Sequence, residues 1–84
     1  MTKNISNKNM DIYQILTNNN ILYTIGAVSE NEAVNVTQQK PNNISSIKRL
    51  PCTYTHPYHD EPIILSMYNL NKDNTVTYIP QYID

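Results

Sequence analysis

The chain has 84 residues, a formal net charge of -1 and a hydrophobic fraction of 39%. An almost neutral charge argues against a protein that binds nucleic acid or an anionic membrane, and it excludes a heavily acidic mimic of DNA. No apolar run approaches the ~18 residues that span a membrane, so we expect one small domain without a membrane segment.

The amino-acid composition also indicates a cellular compartment and a type of genome. Cys52 is the single cysteine and forms no internal disulfide, which favours a reduced, cytoplasmic protein. Abundant Asn, Lys and Ile with one Arg indicate an AT-rich coding sequence, as in low-GC bacteria, their phages and some large DNA viruses. A viral origin would place the protein in the interior of a host cell.

The N-terminal part of the chain predicts a tail followed by a hairpin. Residues 1–9 are polar and predict a disordered tail, so that the domain spans 10–84. Alternating apolar side chains favour a strand over 10–17, although a helix capped by Asn9 is the alternative. The Asn triplet at 18–20 suits a tight turn with left-handed backbone, and 21–28 then forms the second strand.

One helix is predicted, from Ser29 to Gln39. Ser29 stands three residues before Glu32, which is the spacing of a capping box, and two early Glu residues suit the positive end of the helix dipole. Ala33 with the neighbouring Val and Thr side chains would face a sheet. The alternative is a continued strand, because three β-branched residues lower the helix propensity. Pro41 is expected to end the helix.

Three further strands are predicted in the C-terminal half, at 44–50, 63–70 and 75–79. Pro51 interrupts the first of these and places it at an edge, and residues 52–62 are expected to be a loop. The second is the most apolar segment and the best candidate for a central strand. The order β-β-α-β-β-β predicts an α+β fold, a mostly antiparallel sheet with one helix on one face.

The only cysteine and both histidines lie close together, as Cys52, His56 and His59. These residue types bind zinc, but their spacing matches no standard zinc pattern and a second ligand pair is missing. The same three residues are the alternative basis for a metal-binding module or for a small hydrolase or ribonuclease-like module. Such an enzyme needs a pocket, for which a chain of this length has little room, and we predict no cofactor.

Five of the seven tyrosines lie in the C-terminal half. Tyrosine is a residue type that is typical of interface hot spots. The chain has no Trp or Phe, so tyrosine also serves as core filler, and we expect its rings at the core margin or on the surface because the hydroxyl needs a polar partner. Tyrosines on a sheet can also stack bases, which gives weak single-stranded nucleic-acid binding as a second alternative. The predicted partner-binding residues are Tyr54, Tyr58, Tyr78 and Tyr82.

The last strand predicts a related way of binding. If 75–79 lies at a sheet edge, it can pair with a partner strand or with a second copy of the chain, although Pro80 and the charged turn before it are typical protective devices. The sequence therefore predicts a non-enzymatic protein-interaction module. In a phage or mobile element, its expected role is inhibition of a host defence protein.

Overall fold

The computed structural model describes residues 9–55 and 61–81, and these form one five-stranded sheet and one α-helix. Residues 1–8 of the predicted tail lie outside the described residues, and the first strand begins at Asn9. The predicted α+β fold is confirmed. In chain order the elements are β1 (Asn9–Thr17), β2 (Ile21–Ala27), α1 (Glu30–Thr37), a 3-10 turn (Pro41–Asn43), β3 (Ile44–Thr55), β4 (Ile63–Leu70) and β5 (Val76–Tyr78).

The strands lie in the order β3-β1-β2-β4-β5, and every neighbouring pair is antiparallel. β1 and β2 form the predicted hairpin, with a register that runs from Asp11 opposite Ala27 to Leu16 opposite Leu22. The predicted central strand β4 is interior and paired on both sides, by β2 and by β5. The middle strand of the five is β2, and β1 and β4 flank it, each next to an outer strand.

The hairpin turn forms as predicted from its asparagines. Asn20 adopts the left-handed conformation with φ 68°. Thr17 at the end of β1 is buried, and its hydroxyl donates to Asn19 Oδ1 and accepts from Ile21 N at 3.1 Å. The turn therefore satisfies the polar group of a buried threonine instead of leaving it unpaired.

The helix begins as predicted but ends two residues early. Ser29 Oγ accepts a hydrogen bond from Glu32 N at 3.3 Å, which is the predicted N-cap. The helix ends at Thr37 because Gln38 takes a left-handed conformation with φ 59°. The Thr37 hydroxyl donates to Val34 O and accepts from Gln39 N. This side chain therefore hydrogen-bonds two backbone groups at the end of the helix.

The core lies between α1 and one face of the sheet. Tyr13 and Tyr23 are 6% and 5% exposed, so these two rings fill the core and do not lie at its margin as expected. The Tyr23 hydroxyl accepts from Gln39 Nε2 at 3.5 Å. Burial raises the pKa of Tyr13, and the nearby Asp11 carboxylate raises it further. The buried core residues are Tyr13, Ile15, Tyr23, Ile25, Ala27 and Ala33.

The prediction that the third strand ends before Pro51, with a loop from residue 52, is wrong. β3 continues to Thr55, and Pro51 lies in a bulge where three residues of β3 lie opposite Ile12 alone. Proline has no backbone N–H, so an outer strand accepts it at a bulge, where the ladder is already broken. Residues 56–60 of the predicted loop lie outside the described residues.

Candidate protein-interaction face

The sheet has a second face, opposite the one that α1 covers, and we call it the open face. Successive side chains of a strand point to opposite faces, so Leu16 lies on the open face while Ile15 lies in the core. Residues directly opposite each other in neighbouring strands share a face. The register therefore places four side chains in one line across β1, β2, β4 and β5, which we call the apolar row: Leu16, Leu22, Tyr68 and Tyr78.

The apolar row ends at the most exposed part of the sheet. Val76 and Tyr78 of β5 are 54% and 55% exposed, and Leu70 lies opposite Val76. The rings of Tyr68 and Tyr78 meet edge to face, with centroids 5.5 Å apart. An exposed group of large apolar side chains is typical of an interaction site.

Hydrogen bonds in the turn between β4 and β5 hold the exposed strand in place. Asn71 Nδ2 donates to the hydroxyls of Thr75 and Thr77, both at 2.9 Å. Asp73 Oδ1 accepts from Thr75 N at 3.2 Å and from the Thr75 hydroxyl at 2.6 Å, and these bonds lower the pKa of Asp73. Asn74 adopts the left-handed conformation that the predicted turn needs. These hydrogen bonds hold β5 in one conformation, and an ordered strand would lose less entropy if a partner bound it.

A polar line divides the open face into two apolar regions. It consists of residues that lie opposite one another in four strands: Lys48, Gln14, Thr24 and Ser66. On one side lies the apolar row. On the other side the ring of Tyr54 covers Gly26, where a Cβ atom would stand 3.0 Å from Tyr54 Cδ2 and 3.6 Å from Ile63 Cγ2.

Tyr54 thus has a structural contact in addition to its predicted binding role. The residue lies in β3 opposite the fully buried Met10, and it is half-buried, whereas the sequence predicts an irregular and exposed segment. Its ring reaches Gly26 of β2 across β1. Glycine at position 26 is the residue that leaves room for this ring.

Replacing Gly26 by Val is expected to lower the free energy of unfolding by about 1–3 kcal/mol, because the new side chain displaces the Tyr54 ring. Urea denaturation of the variant measures this loss. In a Tyr54→Ala background the same change should cost little or stabilise the protein, since valine then fills vacant space in a strand. Equal losses in both backgrounds would contradict the contact.

The other predicted site residues are placed as follows. Tyr78 lies on the open face as described, and Cys52 is exposed in the bulge of β3. Tyr58, Tyr82, His56 and His59 lie outside the described residues. Within residues 9–55 and 61–81, no group of three or more His, Cys, Asp or Glu side chains could hold a metal ion.

Sequence reasoning missed the aliphatic part of the open face. Leu16, Leu22 and Tyr68 join Tyr78 only through the register of three strand pairs. The sequence does contain a signal for these residues. In β1, even-numbered as well as odd-numbered positions carry apolar side chains, so both faces of the strand are apolar. A strand with apolar side chains on both faces is typical of a sheet that is covered on both faces.

Comparisons with protein-family models, with curated proteins and with solved structures gave no match in any of the three. In the described part of the chain, no helix has the length and hydropathy that crossing a lipid bilayer requires.

Proposed function

We propose that this protein is a non-enzymatic interaction module that binds a partner protein across the apolar row of the open face. The observation that supports this most directly is the line of four large apolar side chains across four strands. This line ends at Tyr78, which is 55% exposed beside the equally exposed Val76. Aromatic and aliphatic side chains of this kind form the desolvated centres of protein interfaces.

The composition of the row favours a protein partner over nucleic acid. Leu16 and Leu22 offer neither a ring for stacking on bases nor a charge for phosphate contacts. Lys48, the basic residue of the polar line, lies in the outer strand β3, on the side of the sheet away from Tyr78.

The inhibitory role remains part of this proposal. A chain of this size acts on a larger protein by covering a surface of that protein, and the apolar row supplies such a contact. If the gene belongs to a phage or mobile element, the proposed target is a host defence protein.

Site-specific photo-cross-linking tests the proposal. The cross-linking residue p-benzoylphenylalanine would replace Tyr78 in one variant and Lys40, which is exposed between α1 and the 3-10 turn, in a matched control. In extracts of the native host we expect one discrete protein adduct from position 78 and no such adduct from position 40. Equal labelling from both positions, or an adduct with nucleic acid that weakens steeply with salt, would overturn the proposal.

A further inference from the structure

A cleft separates α1 from the outer strand β3. The helix packs mainly against β2, β4 and β1, and the inner face of β3 is only partly covered. The cleft has a volume of about 670 Å³. Val34 of α1, Pro41, and Ile44 and Ile47 of β3 supply the apolar part of its lining, and Glu30 and Asn31 at the start of α1 are among the polar residues that line the rest.

The edge of β3 beside this cleft offers a short stretch of regular strand. Four consecutive residues, Ser46 to Arg49, pair with β1 between two register shifts, and we call them the β3 window. An outer strand uses one side of its backbone for its neighbour in the sheet, so the N–H and C=O groups on the other side of the window point outward. Such groups pair readily with an added extended peptide.

The side chains of the β3 window define what such a peptide must carry. Ile47 lies opposite the core residue Ile15 and lines the cleft, whereas Lys48 lies on the open face. Arg49 is 67% exposed and lies 3.6 Å from Asp11, and no described acid pairs with Lys48. An apolar side chain next to Ile47 and an acidic side chain next to Lys48 would complement the two faces of the window.

We propose that the β3 window binds a short extended peptide with alternating apolar and acidic residues, which adds to the sheet as a sixth strand. The apolar side chains of the peptide enter the cleft between α1 and β3, and its acidic side chains lie beside Lys48. Backbone hydrogen bonds to the outward groups of the window supply affinity, and the two faces supply selectivity.

The limits of the window favour a short peptide over a second copy of the chain. Bulges bound it on both sides, and Pro51 lies in one of them, so the regular edge is too short to join two sheets along their length. A second copy would also bring another Lys48 and Arg49 to an edge that already carries both, and like charges side by side oppose pairing.

The experiment uses the full chain and the acetylated, amidated hexapeptide Thr-Glu-Val-Glu-Val-Thr, with binding measured by titration calorimetry. We expect saturable binding that weakens at least about tenfold when lysine replaces glutamate in the peptide. Alternate backbone amides of the bound peptide point toward β3 or away from it. Methylation of the set that points toward β3 should abolish binding, and methylation of the other set should leave it unchanged. Lys48→Glu should reverse the preference between the acidic and basic peptides.

Absence of binding by the acidic peptide, or indifference to which amides are methylated, would overturn the proposal. A dimer in sedimentation equilibrium whose formation excludes the peptide, so that peptide binding falls as the protein concentration rises, would assign the window to a second copy and overturn the proposal as well. Tyr78→Ala lies at the other outer strand and should leave peptide binding unchanged. The proposal for the β3 window and the proposal for the apolar row are therefore tested independently.

Discussion

Replacing Ile15 by Ala is expected to lower the free energy of unfolding by about 2–5 kcal/mol. Ile15 is fully buried between the sheet and α1, so the variant loses the buried side chain and leaves a cavity. A domain of this length has a total stability of about 5–15 kcal/mol, so the loss is a large part of it. Thermal unfolding followed by circular dichroism should show a Tm lower by at least about 10 °C.

Leu16→Ala is the matched control, because it removes a side chain of the same size one position along β1. Leu16 lies on the open face and is half-buried, so less apolar area returns to water and no enclosed cavity forms. We expect a loss well below that of Ile15→Ala. Similar losses for the two variants would mean that the open face is as well packed as the core, which contradicts its role as an interface.

Local signals in the sequence predicted the elements that depend on neighbouring residues. The hairpin follows from alternation around an Asn turn, and the left-handed Asn20 and Asn74 are the positions where such turns need them. The helix start follows from Ser29 and Glu32. Each of these features is settled by contacts within a few residues, so the sequence is sufficient to find them.

Features that depend on distant contacts were not predictable in the same way. Pro51 looks like a strand end, yet β1 supplies partners on both sides of it and carries β3 through a bulge. The sequence of β1 also does not tell which of its two apolar faces receives the helix. Ile15 and Leu16 are equally apolar, and only the path of α1 over β2 makes one a core residue and the other a residue of the open face.

Tyr78→Ala is expected to weaken binding of the partner cross-linked at position 78 by about 2 kcal/mol or more, which is roughly a 30-fold rise in Kd. The ring stands at the exposed end of the apolar row, and its contact with Tyr68 and the ordered β4–β5 turn fix it before binding. A preorganised aromatic side chain loses little entropy when a partner covers it. Surface plasmon resonance with the immobilised partner measures the change.

Tyr78→Phe separates the ring from its hydroxyl. It keeps the apolar area and the edge-to-face contact with Tyr68, so binding should stay within about fivefold of the original if the ring supplies the affinity. Because Tyr78 is more than half exposed, Tyr78→Ala should still fold, with a loss of unfolding free energy below about 1.5 kcal/mol. Unchanged binding by a folded Tyr78→Ala variant would place the interface elsewhere.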